Sequence, residues 1–201
     1  MRTPDFFDAV PPVVMHDPLA ETLGAAEAGV LEYSYADAVK LAGHSCPTVA
    51  GAWVMTTRAL RHLYGDELPR RGEVRVEVRQ QQGEGVAGVI GSVAGWLTGA
   101  AGDGGFKGLA GRYARRGLLS YGAAIEGELR FTRTDTGASV ETTCHSEIVE
   151  RPAELKALMQ AALDPSADAP ARRAFAETWQ EWVRRILVDH GNDSALVTLS
   201  G

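Results

Sequence analysis

Apolar residues recur along the chain in two periods, and the switches between them mark most of the elements. Val49, Trp53, Thr56, Leu60 and Leu63 fall on one stripe at helical spacing, which predicts a helix from Pro47 to Leu63 that Gly65 stops. Ahead of it, Ser34 with Asp37 three residues on reads as a capping box. Ala36, Val39, Lys40 and Leu41 continue that short helix as far as Gly43. The period then drops to two: Val74, Val76 and Val78 alternate with Glu73, Arg75, Glu77 and Arg79 in a half-buried strand. Leu129 and Phe131 alternate in the same way, Asp135-Thr136-Gly137 supplies turn chemistry, and Val140 to Ile148 returns as the second arm of a hairpin. On that arm Val140, Thr142, Cys144, Ser146 and Ile148 share one face, and His145 takes the other.

Helical spacing resumes from Pro152 to Leu163, and again behind Asp168, a cap with Pro170 in the first turn. There Phe175, Trp179, Trp182, Val183, Ile186 and Leu187 form an apolar stripe suited to core or oligomer contact. Gly191 ends it, and the tail beyond is expected to fray. The proline-broken segment Asp5 to Leu31 is expected to wrap over the core. These elements predict an α+β fold: a small antiparallel or mixed sheet packed with helices over residues 1–150, with a C-terminal helical extension, residues 151–201, on the same core.

Between Gly85 and Gly102 no residue carries a charge, and Gly88, Gly91, Gly95, Gly99 and Gly102 recur every three or four positions. A membrane span wants about 20 strongly apolar residues, so this glycine-punctured run does not read as one. On a helix the glycines form a smooth ridge, suited first to tight core packing and second to a dimer seam or ligand floor. The net charge of −6 argues against a nucleic-acid partner, which a basic face would meet. The first residues lack a secretory pattern, and two cysteines, Cys46 and Cys144, do not make a disulfide framework, so a cytoplasmic location is expected.

The chemistry concentrates in Gly43-His44-Ser45-Cys46-Pro47. Pro47 suits the first helical position, which makes Cys46 the N-cap and leaves His44 just outside the helix. The positive end of the helix dipole favours negative charge there. His44 and Cys46 are borderline-soft donors fit for a transition metal, zinc foremost. Cys144 is the third candidate ligand because its face turns inward, with His145 and His62 behind it. Downstream, Asp103 to Arg116 is a glycine-rich loop in which Lys107 and Arg112 are candidates to hold an anionic small ligand, although its glycine spacing is not that of a phosphate loop.

The run from Gly43 to Ala52 resembles the Gly-His-x-Cys-Pro motif of the E-type family of formylmethanofuran dehydrogenase components. The likeness continues through Leu63-Tyr64-Gly65, Pro69-Arg70-Arg71-Gly72-Glu73, Leu97-Thr98-Gly99-Ala100, Gly105-Phe106-Lys107-Gly108 and Arg133-Thr134-Asp135-Thr136-Gly137. The resemblance implies an α+β core, frequently dimeric, with a metal site at the His-x-Cys motif. It does not imply formylmethanofuran oxidation, which in the namesake complex resembles molybdopterin or tungstopterin chemistry on its other components. Some members carry a C-terminal zinc ribbon of paired cysteines. This chain has no Cys after Cys144 and so resembles a stand-alone member without it.

Three chemistries use the same residues. A metal on His44 and Cys46, with a shell left incomplete by the protein, keeps a position for water or substrate. Haem is the alternative cofactor, with Cys46 or His44 as axial ligand and Lys107 or Arg112 toward its propionates. A metal-free Cys46 nucleophile beside His44 is the third. Residue types alone leave open whether the chain is an enzyme, an accessory of one-carbon or redox metabolism, or a sensor.

Overall fold

A computed structural model of the chain describes residues 3–201. Its helices are α1 (Pro18–Thr22), α2 (Tyr35–Ala42), α3 (Pro47–Tyr64), α4 (Ala87–Thr98), α5 (Leu155–Leu163) and α6 (Ala169–Arg184). Its strands are β1 (Val13–His16), β2 (Val30–Tyr33), β3 (Val74–Val78), β4 (Leu119–Tyr121), β5 (Leu129–Arg133), β6 (Ser139–Cys144) and β7 (Val197–Ser200). β1 and β2 pair as an antiparallel ribbon, and the remaining strands form a mixed sheet in the order β4-β3-β5-β6-β7. Only β3 and β4 run parallel, joined through α4; the other neighbours are antiparallel. The fold is α+β, as the periodicity predicts.

Alternation decides which face of the sheet is covered. Val74, Val76, Val78, Leu129, Phe131, Val140 and Thr142 are buried, while Arg75 and Ser139 are exposed. α3 lies on the buried face as the central helix, and its Val49, Ala50, Ala52, Trp53 and Leu60 are inaccessible or nearly so. On the other face Arg130 donates from Nε and Nη2 to Glu141 Oε1 at 3.0 and 2.6 Å, a cross-strand ion pair.

The N-terminal segment is more ordered than its prolines suggest. Asp17 caps α1 by accepting from the backbone of Leu19 and Ala20, and its buried carboxylate also meets Arg71 at 2.9 Å and Arg115 at 2.6 Å. These partners hold its carboxyl below the usual range although burial alone would raise it. The β1–β2 ribbon, invisible to a period-two search because β2 is mostly polar or exposed, is thereby bolted to the core.

Two other expectations are corrected. The return strand ends at Cys144, not Ile148: His145 leaves extended geometry (φ −105°, ψ 61°), a 3-10 turn follows, and Ile148 is exposed. The tail does not fray. It forms β7 against β6, with Leu196 and Val197 fully buried, so residues 151–201 contribute a strand as well as helices. The Val-Thr-Leu-Ser alternation of β7 carries that signal, but at four residues it is short. Among the described residues no helix is long and apolar enough to cross a membrane.

Candidate functional site

The link between α2 and α3 is fixed at both ends by backbone chemistry. The Ser34–Asp37 capping box starts α2, and Gly43 closes it in the left-handed conformation (φ +76°), its N–H donating to Val39 O. An added Cβ at Gly43 would meet nothing, so glycine is required there by its φ and not by space. Two residues later Cys46, extended at φ −150°, caps α3: its Sγ accepts from Val49 N–H at 3.5 Å, and Pro47 begins the helix. His44 and Ser45 therefore sit in a connection with almost no slack.

Ser45, between the two candidate ligands, is the anchor. Its carbonyl accepts from Trp179 Nε1 (2.9 Å) and Gln180 Nε2 (3.2 Å), and its hydroxyl lies 3.0 Å from the Tyr35 hydroxyl. Tyr35 is fully buried, which pushes its phenol well above the ordinary range. The C-terminal helix α6 thus holds the motif from 134 positions away, a role that the aromatic stripe alone does not reveal. No short motif signals it; Trp179 differs from a plain core aromatic only in having an indole N–H to place.

His44 is exposed, and its Nδ1 lies 2.9 Å from Ala42 O. A carbonyl only accepts, so in the neutral ring the proton belongs on Nδ1 and the lone pair on Nε2. That is the tautomer in which a metal-ligating histidine is commonly held by a carbonyl behind it. The ring lines a cleft of about 300 Å³ between α2 and α4, together with Leu41, Gly88, Val89 and Ser92. Cys46 is buried and Cys144 partly so; both are free thiols.

Cys144 points to α3, as its strand face predicts, but meets it at Gly51: a Cβ there would lie 2.9 Å from Sγ. Burial first, then the Glu128 and Glu147 carboxylates, push its thiol up to about 12. Among the described residues no three His, Cys, Asp or Glu side chains are grouped to hold a metal ion, so His44, Cys46 and Cys144 do not form a joint shell within one chain. His62 is exposed on the last turn of α3, and His145 is engaged with Thr198 (3.2 Å) and Glu147 (3.4 Å).

Lys107 and Arg112 are exposed in the loop between α4 and β4, and neither lines the His44 cleft. Arg112 closes a tight turn with Leu109 and stacks its guanidinium 5.0 Å from the Tyr113 ring. The glycine ridge is occupied internally. At Gly91 a Cβ would collide with the Tyr121 hydroxyl, and at Gly95 it would lie 2.7 Å from Ala100 O, so α4 packs directly on the β4 side of the sheet. Arg133 and Asp135 form a clip: the guanidinium grips Asp135 twice (3.0 and 2.7 Å), donates to Leu63 O and stacks 4.1 Å from the Tyr64 ring. Several stretches that resemble the family thus act here as structural locks around α3. Compared with known proteins, the chain matches no family model, and no curated protein matches it.

Proposed function

We propose that this chain binds a transition metal, zinc foremost, through Nε2 of His44 and Sγ of Cys46, beside the α2–α4 cleft, which takes a small ligand. The observation that carries the reading is the His44 ring, oriented by the Ala42 carbonyl, its second nitrogen without a hydrogen bond among the described residues, two residues from a thiol at a helix N-terminus. Nitrogen and sulfur donors suit zinc, and the short link between an αL glycine and Pro47 keeps them on a rigid support. Two ligands do not close a tetrahedral shell, so the remaining positions fall to water, substrate, Cys144 after local rearrangement, or a second copy of the chain. A bound zinc would supply Lewis acidity there.

The reading agrees with the resemblance of the Gly43–Ala52 run to the E-type family of formylmethanofuran dehydrogenase components, of which we take the chain to be a stand-alone, homodimeric and cytoplasmic member. The test is elemental analysis and an absorption spectrum of the purified protein beside its Cys46→Ala and His44→Ala variants. About one zinc per chain, lost in both variants, is the expected result. Full metal content in both variants overturns it. A Soret band that shifts in the Cys46 variant replaces zinc with haem, and rapid alkylation of Cys46 in metal-free, colourless protein leaves the thiol as nucleophile.

A further inference from the structure

A second concavity lies at the opposite end of α3. It is a cleft of about 220 Å³ between the segment leading into β1, the later turns of α3 and the turn that follows α6. Pro12, Val13 and Val14 give it accessible apolar surface over the buried Trp53 and Leu60, and Arg58 and Arg61 stand on its edge. Arg58 lies 12 residues along the helix from Cys46, about 18 Å of rise, and the two clefts share no lining residue.

The charges in this cleft are unbalanced. Arg58 Nη1 donates to Asp193 O at 2.6 Å, and Arg61 Nη1 reaches Asn192 Oδ1 at 3.3 Å. Those are a carbonyl and an amide; among the described residues neither guanidinium has a carboxylate within 4.0 Å. Glu67 also lines the cleft, but its carboxylate meets Arg133 at 3.2 Å. The Asp193 carboxylate is turned to its own loop, accepting from Ala195 N–H and facing His190. Two cations one helical turn apart therefore line one cleft with no carboxylate in contact among the described residues. Burial first, then the neighbouring Arg61, disfavour the charge on Arg58, and the Asp193 carboxylate offsets them only in part. An anion seated between them removes that penalty, and the Nε–Nη2 edge of Arg58, which makes no hydrogen bond among the described residues, has the fork geometry of a carboxylate.

We infer that this cleft binds a small monocarboxylate with an apolar body, its carboxylate on Arg58 and Arg61 and its hydrocarbon against Pro12, Val13 and Val14. The inference is independent of the metal reading, since it uses neither His44 nor Cys46. Calorimetric titration of the full chain with benzoate and hexanoate, beside benzyl alcohol, 1-hexanol and inorganic phosphate, tests it.

Saturable binding of both carboxylates is expected, with the alcohols and phosphate weaker by about tenfold or more. Arg58→Gln should weaken benzoate by about tenfold and Arg61→Gln by about threefold. Arg61 is exposed and makes one long hydrogen bond, so its variant keeps the test valid if Arg58→Gln loosens the loop at Asp193. No saturable carboxylate binding by about 10 mM overturns the inference. So does benzoate affinity unchanged in Arg61→Gln, alcohols binding as well as their acids, or phosphate binding as well as benzoate.

Discussion

At Gly51 the central helix lies close against the sheet, and the residue it admits is Cys144. Gly51→Ala puts a methyl 2.9 Å from Sγ in a fully packed region, so unfolding free energy should fall by about 1–3 kcal/mol. Combining it with Cys144→Ala should recover most of that loss. Chemical denaturation of the two single variants and the double variant measures the coupling, and strict additivity would refute the contact. The same burial gives Cys144 a pH signature. Its folded-state thiol is raised to about 12 from the usual 9.0, so the stability it supports is intact below pH 9 and is lost as pH climbs toward 12, where the unfolded chain ionises first. In metal-free protein, denaturation midpoints should therefore decline above pH 9, and Cys144→Ala should flatten that decline. An unchanged slope would place the alkaline transition elsewhere.

At the scale of elements, the candidate site is a four-residue span between helices, and its hold comes from a third helix. Trp179→Phe keeps the ring packed against its aromatic neighbours but removes the N–H that reaches Ser45 O. We expect about 1 kcal/mol of lost stability and roughly tenfold weaker zinc binding, measured by competition with a chromophoric chelator. Zinc affinity equal to wild type would make the indole a packing residue only. The elements that strong local rules specify were legible in the chain: the Ser34–Asp37 box, Cys46 and Pro47 at the start of α3, the Val74–Val78 alternation, Asp168 and Pro170 opening α6. Those set by partners were not. β2 and β4 are short and partly exposed, so their pairing, not their pattern, makes them strands. β7 was hidden by the same shortness, and β6 ends where its neighbours do. At the candidate site, residue types single out His44 and Cys46, which the structure places in one link between α2 and α3. That Lys107 and Arg112 lie off the cleft, and that Tyr35, Trp179 and Gln180 converge on Ser45, depends on tertiary approach that no spacing encodes.

For the whole molecule, the C-terminal quarter is an integral part of the core. Ile186, Leu187, Leu196 and Val197 are buried with residues of α3 and the sheet, and β7 covers the outer edge of β6. Removing residues 197–201 should expose that edge and lower the thermal midpoint by roughly 5–10 °C, with association that grows with concentration. Scanning calorimetry and light scattering would show it; an unshifted midpoint would mean that the strand contributes nothing to the core. The anchoring of Ser45 by Trp179 also has a consequence in time. During synthesis the His44–Cys46 link leaves the ribosome with α2 and α3, which are close in sequence and can pair early. Its clamp is 134 residues behind. A nascent chain therefore carries His44 and Cys46 on an unanchored link until α6 has been made and docked, and the link acquires its final shape only then.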